Sequence, residues 1–299
     1  MIHSSVSLSA AVILGLLFLD ASSKPASRAL PSAVNDGYGD YVYVPAGAFK
    51  MGDNFGDGEA RERPVHLVEL DAFYIAKYEM TNGEWKKFLN DPGYDDPKVW
   101  PGGRVVPKDQ NPYWNDAQNH GGGTPDTDNF PALSVNWDSA VAYCNWLSAK
   151  TGKKYRLPTE AEWEKAARGA DKRRYPWGNE IDSSYANFIN AHRTNTIAPV
   201  GFYDGSKRGE LQTHNNASPY GAYDMAGNVL EWCSDWYDRD YYPVSPRKNP
   251  KGPDKGAYRV LRGGMFVTEA FNLRTYARSA AWPSFQGYRM VGFRSVREP

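Results

Sequence analysis

Two carboxylates, Asp224 and Glu231, flank the dipeptide Gly227-Asn228 in the segment YDMAGNVLEWCSDWY, residues 223–237. Glycine and asparagine tolerate positive φ, so the dipeptide favours a tight turn that folds the two acids towards one another. A turn of this kind also points backbone carbonyls inward, and an all-oxygen shell suits calcium better than zinc or copper. The same spacing is also typical of a hairpin whose acids face water. The D-x-[DN]-x-[DN]-G spacing of an EF-hand is absent.

The same segment resembles the G-N-x-x-E-W signature of the formylglycine-generating enzyme, or sulfatase-modifying factor, superfamily. Further matches follow in the expected order: PAGAFKMG at 45–52, YEMTN at 78–82, RLPTEAEWE at 156–164, RGG at 262–264 and GFR at 292–294. They span the chain from about Tyr41 onward, so the sequence is identified as a member of that superfamily. The resemblance implies a complex C-type-lectin-like fold with little regular secondary structure.

Calcium ligands of the superfamily fall at positions that this sequence largely keeps. A second ligand set begins at Asn187 and Phe188 but lacks a counterpart of its downstream aspartate, so one calcium ion is expected rather than two. The positions that the resemblance assigns to metal binding are Asp224, the carbonyls of Gly227 and Val229, Glu231, Asn187 and Phe188.

Copper is not expected, because the two cysteines that bind it in the formylglycine-generating members are replaced here by Thr268 and Leu273. Neither side chain supplies the soft thiolate that Cu(I) prefers. Met265 also replaces the serine that follows the glycine pair in those enzymes. The chain's own cysteines, Cys144 and Cys233, do not occupy the catalytic positions, and whether they form a disulfide stays open. These departures argue against formylglycine synthesis.

Iron is not expected either. The five histidines, at positions 3, 66, 120, 192 and 214, form no i,i+4 pair and no metal-type cluster. In the ergothioneine-synthesising relatives, which use iron, the histidine ligands come largely from an additional helical domain for which this chain has no room. A facial triad assembled from distant loops is the remaining route to an iron site. Signatures of serine hydrolases, P-loop NTPases and zinc proteases are absent.

A ligand-recognition surface is predicted in the C-terminal region. Residues 280–288 form an aromatic, glycine-containing loop, and exposed rings on a loop held by a rigid scaffold suit recognition. Nearby, Arg274, Arg278 and Arg294 are expected to pair with acids rather than to bind an anion. The residues expected to bind a ligand are Thr268, Phe271, Trp282, Phe285 and Tyr288.

Short helices on small, twisted antiparallel sheets are predicted to position these residues, which gives the α+β fold class. Strands are indicated by alternation at residues 41–44 and 65–70. Capping-box spacing begins one helix at Thr81 and another at Thr159, which Gly169 ends. A third helix is predicted from about Trp137 to Lys150.

Composition and the N-terminus set the expected location and partners. The 299 residues carry 35 basic and 35 acidic side chains, so no basic surface predicts binding to nucleic acid. The apolar run Ser9–Leu19 has signal-peptide length, with an uncleaved membrane anchor as the alternative. The predicted organisation is a signal peptide at 1–23, a linker at 24–40 and one domain at 41–299. The mature protein is then expected to be a periplasmic or secreted monomer without membrane contact.

Two functions from different classes follow from these observations. The first is an exported, calcium-stabilised binding or accessory protein whose partner is an unidentified protein or small molecule. The second is a periplasmic, cysteine-independent oxidase, like the superfamily's siderophore-maturation member; a formylglycine-generating oxidase is a weaker third alternative. The variable proteins of diversity-generating retroelements share the fold and bind ligands through its C-terminal region, which favours the first function. Whether the protein is an enzyme therefore stays open at the level of the sequence.

Overall fold

The computed structural model describes residue 1 and residues 30–108, 127–189, 196–285 and 290–299. The elements below all belong to one unit, Pro31–Pro299. Apart from Met1, the predicted signal peptide lies outside the described residues. Within the described ranges, no helix combines the length and hydropathy needed to cross a bilayer.

Thirteen strands in the described residues form two larger sheets and two hairpins. They are β1 (Ala33–Asn35), β2 (Asp40–Val44), β3 (Gly47–Met51), β4 (His66–Leu70), β5 (Phe73–Ala76), β6 (Tyr155–Arg156), β7 (Lys207–Arg208), β8 (Leu211–Gln212), β9 (Leu230–Trp236), β10 (Arg259–Arg262), β11 (Ser279–Ala281), β12 (Val291–Gly292) and β13 (Val296–Arg297). The five-stranded sheet has the order β1-β2-β5-β13-β6 and is antiparallel throughout. The four-stranded sheet has the order β11-β10-β9-β12, in which β12 runs parallel to β9.

The predicted linker is too long. Residues 33–35 form β1, whose Val34 lies opposite Tyr41 of β2, and the Tyr43 amide donates to the Ser32 carbonyl at 2.9 Å. The sheet therefore already includes residues that were expected to precede the fold. The error arose because three residues of an edge strand carry too little alternation to be separated from a polar, small-residue linker.

Three α-helices lie in the described residues, and each begins within one residue of its predicted start. They are α1 (Asn82–Leu89), α2 (Trp137–Thr151) and α3 (Glu160–Arg168). Thr81 and Thr159 each accept a hydrogen bond from the backbone of a glutamate three residues later, and both capping boxes are complete. Gly152, with φ of 69°, ends α2. These predictions are confirmed, and so is the α+β fold class.

The two cysteines lie in different parts of the core. Cys144 belongs to a cluster with Trp85, Trp146 and Trp232, whereas Cys233 packs in a second cluster with Trp163. Both thiols are free and fully buried, and burial raises the pKa of each above its ordinary value. The disulfide that the sequence left open is therefore not formed, and neither thiol has the thiolate character that metal binding requires.

Helix α3 is held in the core by charge as well as by apolar packing. Glu160 accepts from Arg278 Nε and Nη2 at 2.7 and 2.9 Å, and Glu164 accepts from Arg262 Nη2 at 2.6 Å. All four side chains are buried. Because each buried charge has an opposite partner, the helix is accommodated with its acidic face turned inward.

Candidate functional site

The turn between Asp224 and Glu231 has the conformation that the sequence predicts. Asp224, Gly227 and Asn228 all have positive φ, at 57°, 85° and 62°. The Asn228 amide is fixed from both ends: its Nδ2 donates to Glu79 Oε2 at 2.7 Å, and its Oδ1 accepts from the Ala198 amide at 2.8 Å. An asparagine in this strained conformation is therefore held in place by buried hydrogen bonds.

Three buried carboxylates interact beside this turn, those of Glu79, Asp224 and Glu231. Burial, reinforced by the negative charges of the other two acids, raises the pKa of Glu79 well above its ordinary value. Burial also raises the pKa of Asp224, although the Gly201 amide and Asn216 donate hydrogen bonds to it. Sequence reasoning missed Glu79, because it lies far away in the chain and its segment was used only to identify the superfamily.

Glu231 is not arranged as a calcium ligand. Arg294 donates to both of its carboxylate oxygens at 2.7 Å, and the Trp163 indole donates to Oε2, also at 2.7 Å. A cation at this carboxylate would have to displace the guanidinium. The expectation that Arg294 pairs with an acid is confirmed, and its partner is the acid that was expected to bind calcium.

Asn187 is the predicted metal-binding residue whose contacts best fit a cation. Its Nδ2 donates to the Thr196 carbonyl and to Asn228 Oδ1, at 2.8 and 3.1 Å. Its Oδ1 is buried and has no hydrogen-bond partner among the described residues. Phe188, the next residue, is half-buried against Leu273 and its neighbours. In the described ranges, no group of three or more histidine, cysteine, aspartate or glutamate side chains is arranged to hold a metal.

Backbone hydrogen bonds join the two predicted metal-binding segments to the loop at residues 263–274. The Gly227 amide donates to the Gly263 carbonyl at 2.8 Å, and the Asn228 amide donates to the Asn187 carbonyl at 2.8 Å. The amide of Ile189 donates to the Thr268 carbonyl at 3.0 Å. Val229 joins the same network, since its amide donates to Glu79 Oε1 at 3.3 Å. The structure therefore brings together residues that are up to 150 positions apart in the sequence.

Thr268 and Leu273 meet around Gly264. A β-carbon on Gly264 would lie 2.8 Å from Leu273 Cδ1 and 3.2 Å from Thr268 Oγ1. Leu273 is fully buried, and the Thr268 hydroxyl exchanges hydrogen bonds with the backbone of Met265, at 3.0 Å to its nitrogen and 2.9 Å to its oxygen. One side chain therefore packs and the other closes a turn, and neither offers a metal ligand or a nucleophile.

A stack of four near-parallel rings leads away from this loop. Tyr175, Trp177, Tyr185 and His214 follow one another with centroid separations of 5.5, 5.3 and 4.2 Å and interplanar angles of 16° or less. Tyr175 Oη donates to the Ala270 carbonyl at 3.3 Å, while His214 is exposed at the other end. Sequence reasoning missed this stack, because the rings have no periodic spacing and come from separate loops.

Phe271 provides an exposed ring on the same loop. It is 41% exposed, and the Arg274 guanidinium stacks on it with its carbon 3.6 Å from the ring centroid. Arg274 also donates to Asp57 Oδ1 at 3.2 Å and lies 3.4 Å from Glu62 Oε2. Arg274 is thus paired with acids, as predicted, and it fixes Phe271 at the surface.

The remaining predicted ligand-binding residues contact other parts of the fold. Trp282 is 57% exposed and packs against Tyr258, with 5.3 Å between the ring centroids. Phe285 is half-buried against the cluster that contains Cys144, so it is not the exposed ring that was expected. Tyr288 lies outside the described residues.

Comparison with known proteins gives a consistent result. Residues 27–299 match the family model for the sulfatase-modifying factor enzyme 1-like domain. The formylglycine-generating enzyme of Thermomonospora curvata is 36% identical over 296 residues, which cover 86% of this chain and 93% of that protein. The serine/threonine-protein kinase pkn1 of Chlamydia caviae is 37% identical over 239 residues, and the match covers 78% of this chain but only 34% of the kinase. The structure of PvdO from Pseudomonas aeruginosa superposes with a TM-score of 0.68 at 27% identity, covering 91% of this chain and all of PvdO.

Proposed function

Because the chain belongs to the sulfatase-modifying factor enzyme 1-like family, we propose that it is an exported binding protein that keeps the family fold without thiol-dependent copper chemistry. The observation that carries this proposal is the pair of side chains around Gly264. A buried Leu273 and a Thr268 hydroxyl bonded to its own turn occupy the positions that the resemblance assigns to the copper-binding cysteines.

The cysteines elsewhere in the chain do not compensate for this loss. Cys144 and Cys233 are fully buried in separate clusters, and burial raises the pKa of both thiols. A thiol becomes an effective copper ligand as the thiolate, which an apolar environment disfavours.

The binding face of this proposal is the surface of the 263–274 loop. Phe271 is exposed and the Arg274 guanidinium stacks on it, while the half-buried Trp177 stacks on Tyr175, a buried ring that is hydrogen-bonded to the same loop. Rings that are fixed before binding lose little conformational entropy when a ligand covers them. The face therefore suits recognition.

Metal analysis and one engineered variant test the proposal together. We expect purified wild-type protein exposed to Cu(I) to retain no copper after gel filtration and to form no aldehyde on a Cys-x-Pro-x-Arg peptide. The matched variant Thr268→Cys/Leu273→Cys restores both thiols on the same scaffold and is expected to retain copper. Aldehyde detected by mass spectrometry with the wild-type protein would refute the proposal.

A second candidate function is an oxidase that works without the cysteine pair. It is favoured by the similarity to the Thermomonospora curvata enzyme over nearly the whole of both chains, and by the stack of oxidisable rings that begins at Tyr175. Stoichiometric iron or copper in the purified protein, together with oxygen uptake, would select this function over binding.

We further propose that calcium binds beside Asn187. Its buried Oδ1 has no partner among the described residues. Arg294 offsets the charge of Glu231, and the nearby carboxylates of Glu79 and Asp224 add further negative charge. Carbonyl and amide oxygens are ligands that calcium accepts. The calcium-dependent rise in melting temperature described in the Discussion tests this site.

A further inference from the structure

An arginine is enclosed between two tryptophans where the four-stranded sheet meets the start of α2. Arg259 of β10 lies opposite Trp236 of β9, and its guanidinium carbon is 3.4 Å from the Trp236 ring centroid and 3.6 Å from that of Trp137. Its Nη1 donates to the Ser234 carbonyl at 2.7 Å. Its Nε is buried against the rings and has no acceptor among the described residues, so a ligand could accept only from the outer nitrogens of the guanidinium.

Two exposed rings continue this group where the start of β10 meets the end of β11. The register of Arg259 with Ala281 brings Tyr258 beside Trp282, and their rings are 38% and 57% exposed. The Trp137 amide donates to the Pro283 carbonyl at 3.0 Å, which ties the start of α2 to the turn after Trp282. We define the aromatic platform as Trp137, Trp236, Tyr258, Arg259 and Trp282.

A carboxylate lies beside the cation of the platform. Asp138 follows Trp137 at the start of α2 and is half-buried. Burial raises the pKa of Asp138, while Arg259 and Arg104 act in the opposite direction. In the part of the chain that the structure describes, Asp138 has no hydrogen-bond partner. A half-buried carboxylate and a half-buried guanidinium, which are a hydrogen-bond acceptor and a hydrogen-bond donor, therefore lie next to the exposed rings.

We propose that the aromatic platform binds the pyranose rings of a neutral oligosaccharide. The C–H face of a pyranose stacks on an indole or phenol ring, and each hydroxyl can both donate to Asp138 and accept from Arg259. Asp138 and Arg259 carry opposite charges, so the pair gives an anionic or a cationic ligand no net electrostatic advantage. A hydroxylated neutral ligand satisfies both.

The size of the platform favours a saccharide over a protein partner. One aromatic side chain buries about 150–250 Å², so the two exposed rings supply well under the roughly 1,200 Å² that a stable protein–protein interface buries. The inference goes beyond the proposed function and does not depend on the 263–274 loop.

Calorimetric titration of the full chain with cellotetraose, laminaritetraose and chitotetraose tests the proposal. We expect at least one of the three to bind, and Trp282→Ala to weaken that binding roughly tenfold, the equivalent of about 1.4 kcal/mol. Trp282→Phe keeps an aromatic ring and is expected to retain most of the affinity. Val244→Ala removes an exposed apolar group from a residue outside the platform and is the matched control.

Trp282 is largely exposed, so the variants are expected to fold, and a melting temperature within error of the wild type verifies this. Three results would overturn the proposal. They are no binding of any of the three tetrasaccharides, equal binding by wild type and Trp282→Ala, or wild-type self-association that Trp282→Ala abolishes, which would assign the platform to a second copy of the chain. Failure of this experiment leaves the copper test of the proposed function unaffected, because the two use different residues.

Discussion

Replacing Glu231 by glutamine would reveal whether this acid pairs with a buried arginine or binds a calcium ion. The side chain is fully buried, and its two oxygens accept three hydrogen bonds at 2.7 Å, two from Arg294 and one from Trp163. Glutamine preserves the volume but removes the charge. In one orientation its NH2 group faces Arg294 Nη2, and in the other it faces both Arg294 Nε and the Trp163 indole, so at least one hydrogen bond is lost.

The expected cost follows from the burial of the pair. Removing one partner of a buried ion pair destabilises a protein by about 3–5 kcal/mol. The negative charges of Glu79 and Asp224 also act on Arg294 and compensate part of the loss. We therefore expect a loss of about 3 kcal/mol, a large share of the roughly 5–15 kcal/mol that stabilises a typical domain.

Urea denaturation followed by tryptophan fluorescence measures this difference, with and without a calcium chelator. The matched control is Glu298→Gln, which removes the same charge from an exposed pair with Lys154 at 2.9 Å and is expected to change stability by less than about 0.5 kcal/mol. If the role of Glu231 is to pair with Arg294, its replacement lowers the free energy of unfolding by the same amount in chelator as in calcium. A loss below about 1 kcal/mol, or one that disappears in chelator, would refute the assignment.

Three further predictions concern other parts of the chain. Burial and the nearby Glu160 raise the pKa of Asp235 to about 7, so the contribution of its protonated form to stability is present below about pH 4 and is lost as pH rises towards 7. Asp235→Asn should remove this pH dependence, which is up to about 1.4 kcal/mol of unfolding free energy per pH unit in urea titrations. An unchanged pH profile would contradict the reasoning. Calcium should raise the melting temperature of the wild type but not that of Asn187→Ala, and a chelator-insensitive wild type would exclude the site. Exported protein should begin between Ser22 and Pro25, and an intact mass that still includes Met1 would show that no signal peptide is removed.

Local signals in the sequence were sufficient for the helices and for the turn of the site. A capping threonine determines where α1 and α3 begin, because its hydroxyl satisfies a backbone N–H within the same turn. Gly227 and Asn228 similarly predict the turn, since few other residues adopt positive φ readily. These features depend on neighbours within a few residues and can be read from one segment.

Features that depend on distant partners were not predictable in the same way. Charged side chains of a helix usually face solvent, yet Glu160 and Glu164 of α3 are buried because Arg278 and Arg262 approach from more than 90 positions away. A carboxylate such as Glu231 is a suitable calcium ligand, and only the fold shows that Arg294 donates hydrogen bonds to both of its oxygens. The sequence alone indicates which side chains could interact, whereas the choice among partners depends on the packing of the whole domain.

The placement of the last strands has a consequence for how the chain is made. Strand β13 lies between β5 and β6, and β12 runs parallel to β9, so residues 291–297 complete both larger sheets. A nascent chain that still has these residues inside the ribosome cannot close either sheet, so the domain folds only after residues 291–297 have emerged. A nonsense codon anywhere before codon 296 would leave β5 and β6 with unpaired edges, and open edges of this kind promote aggregation.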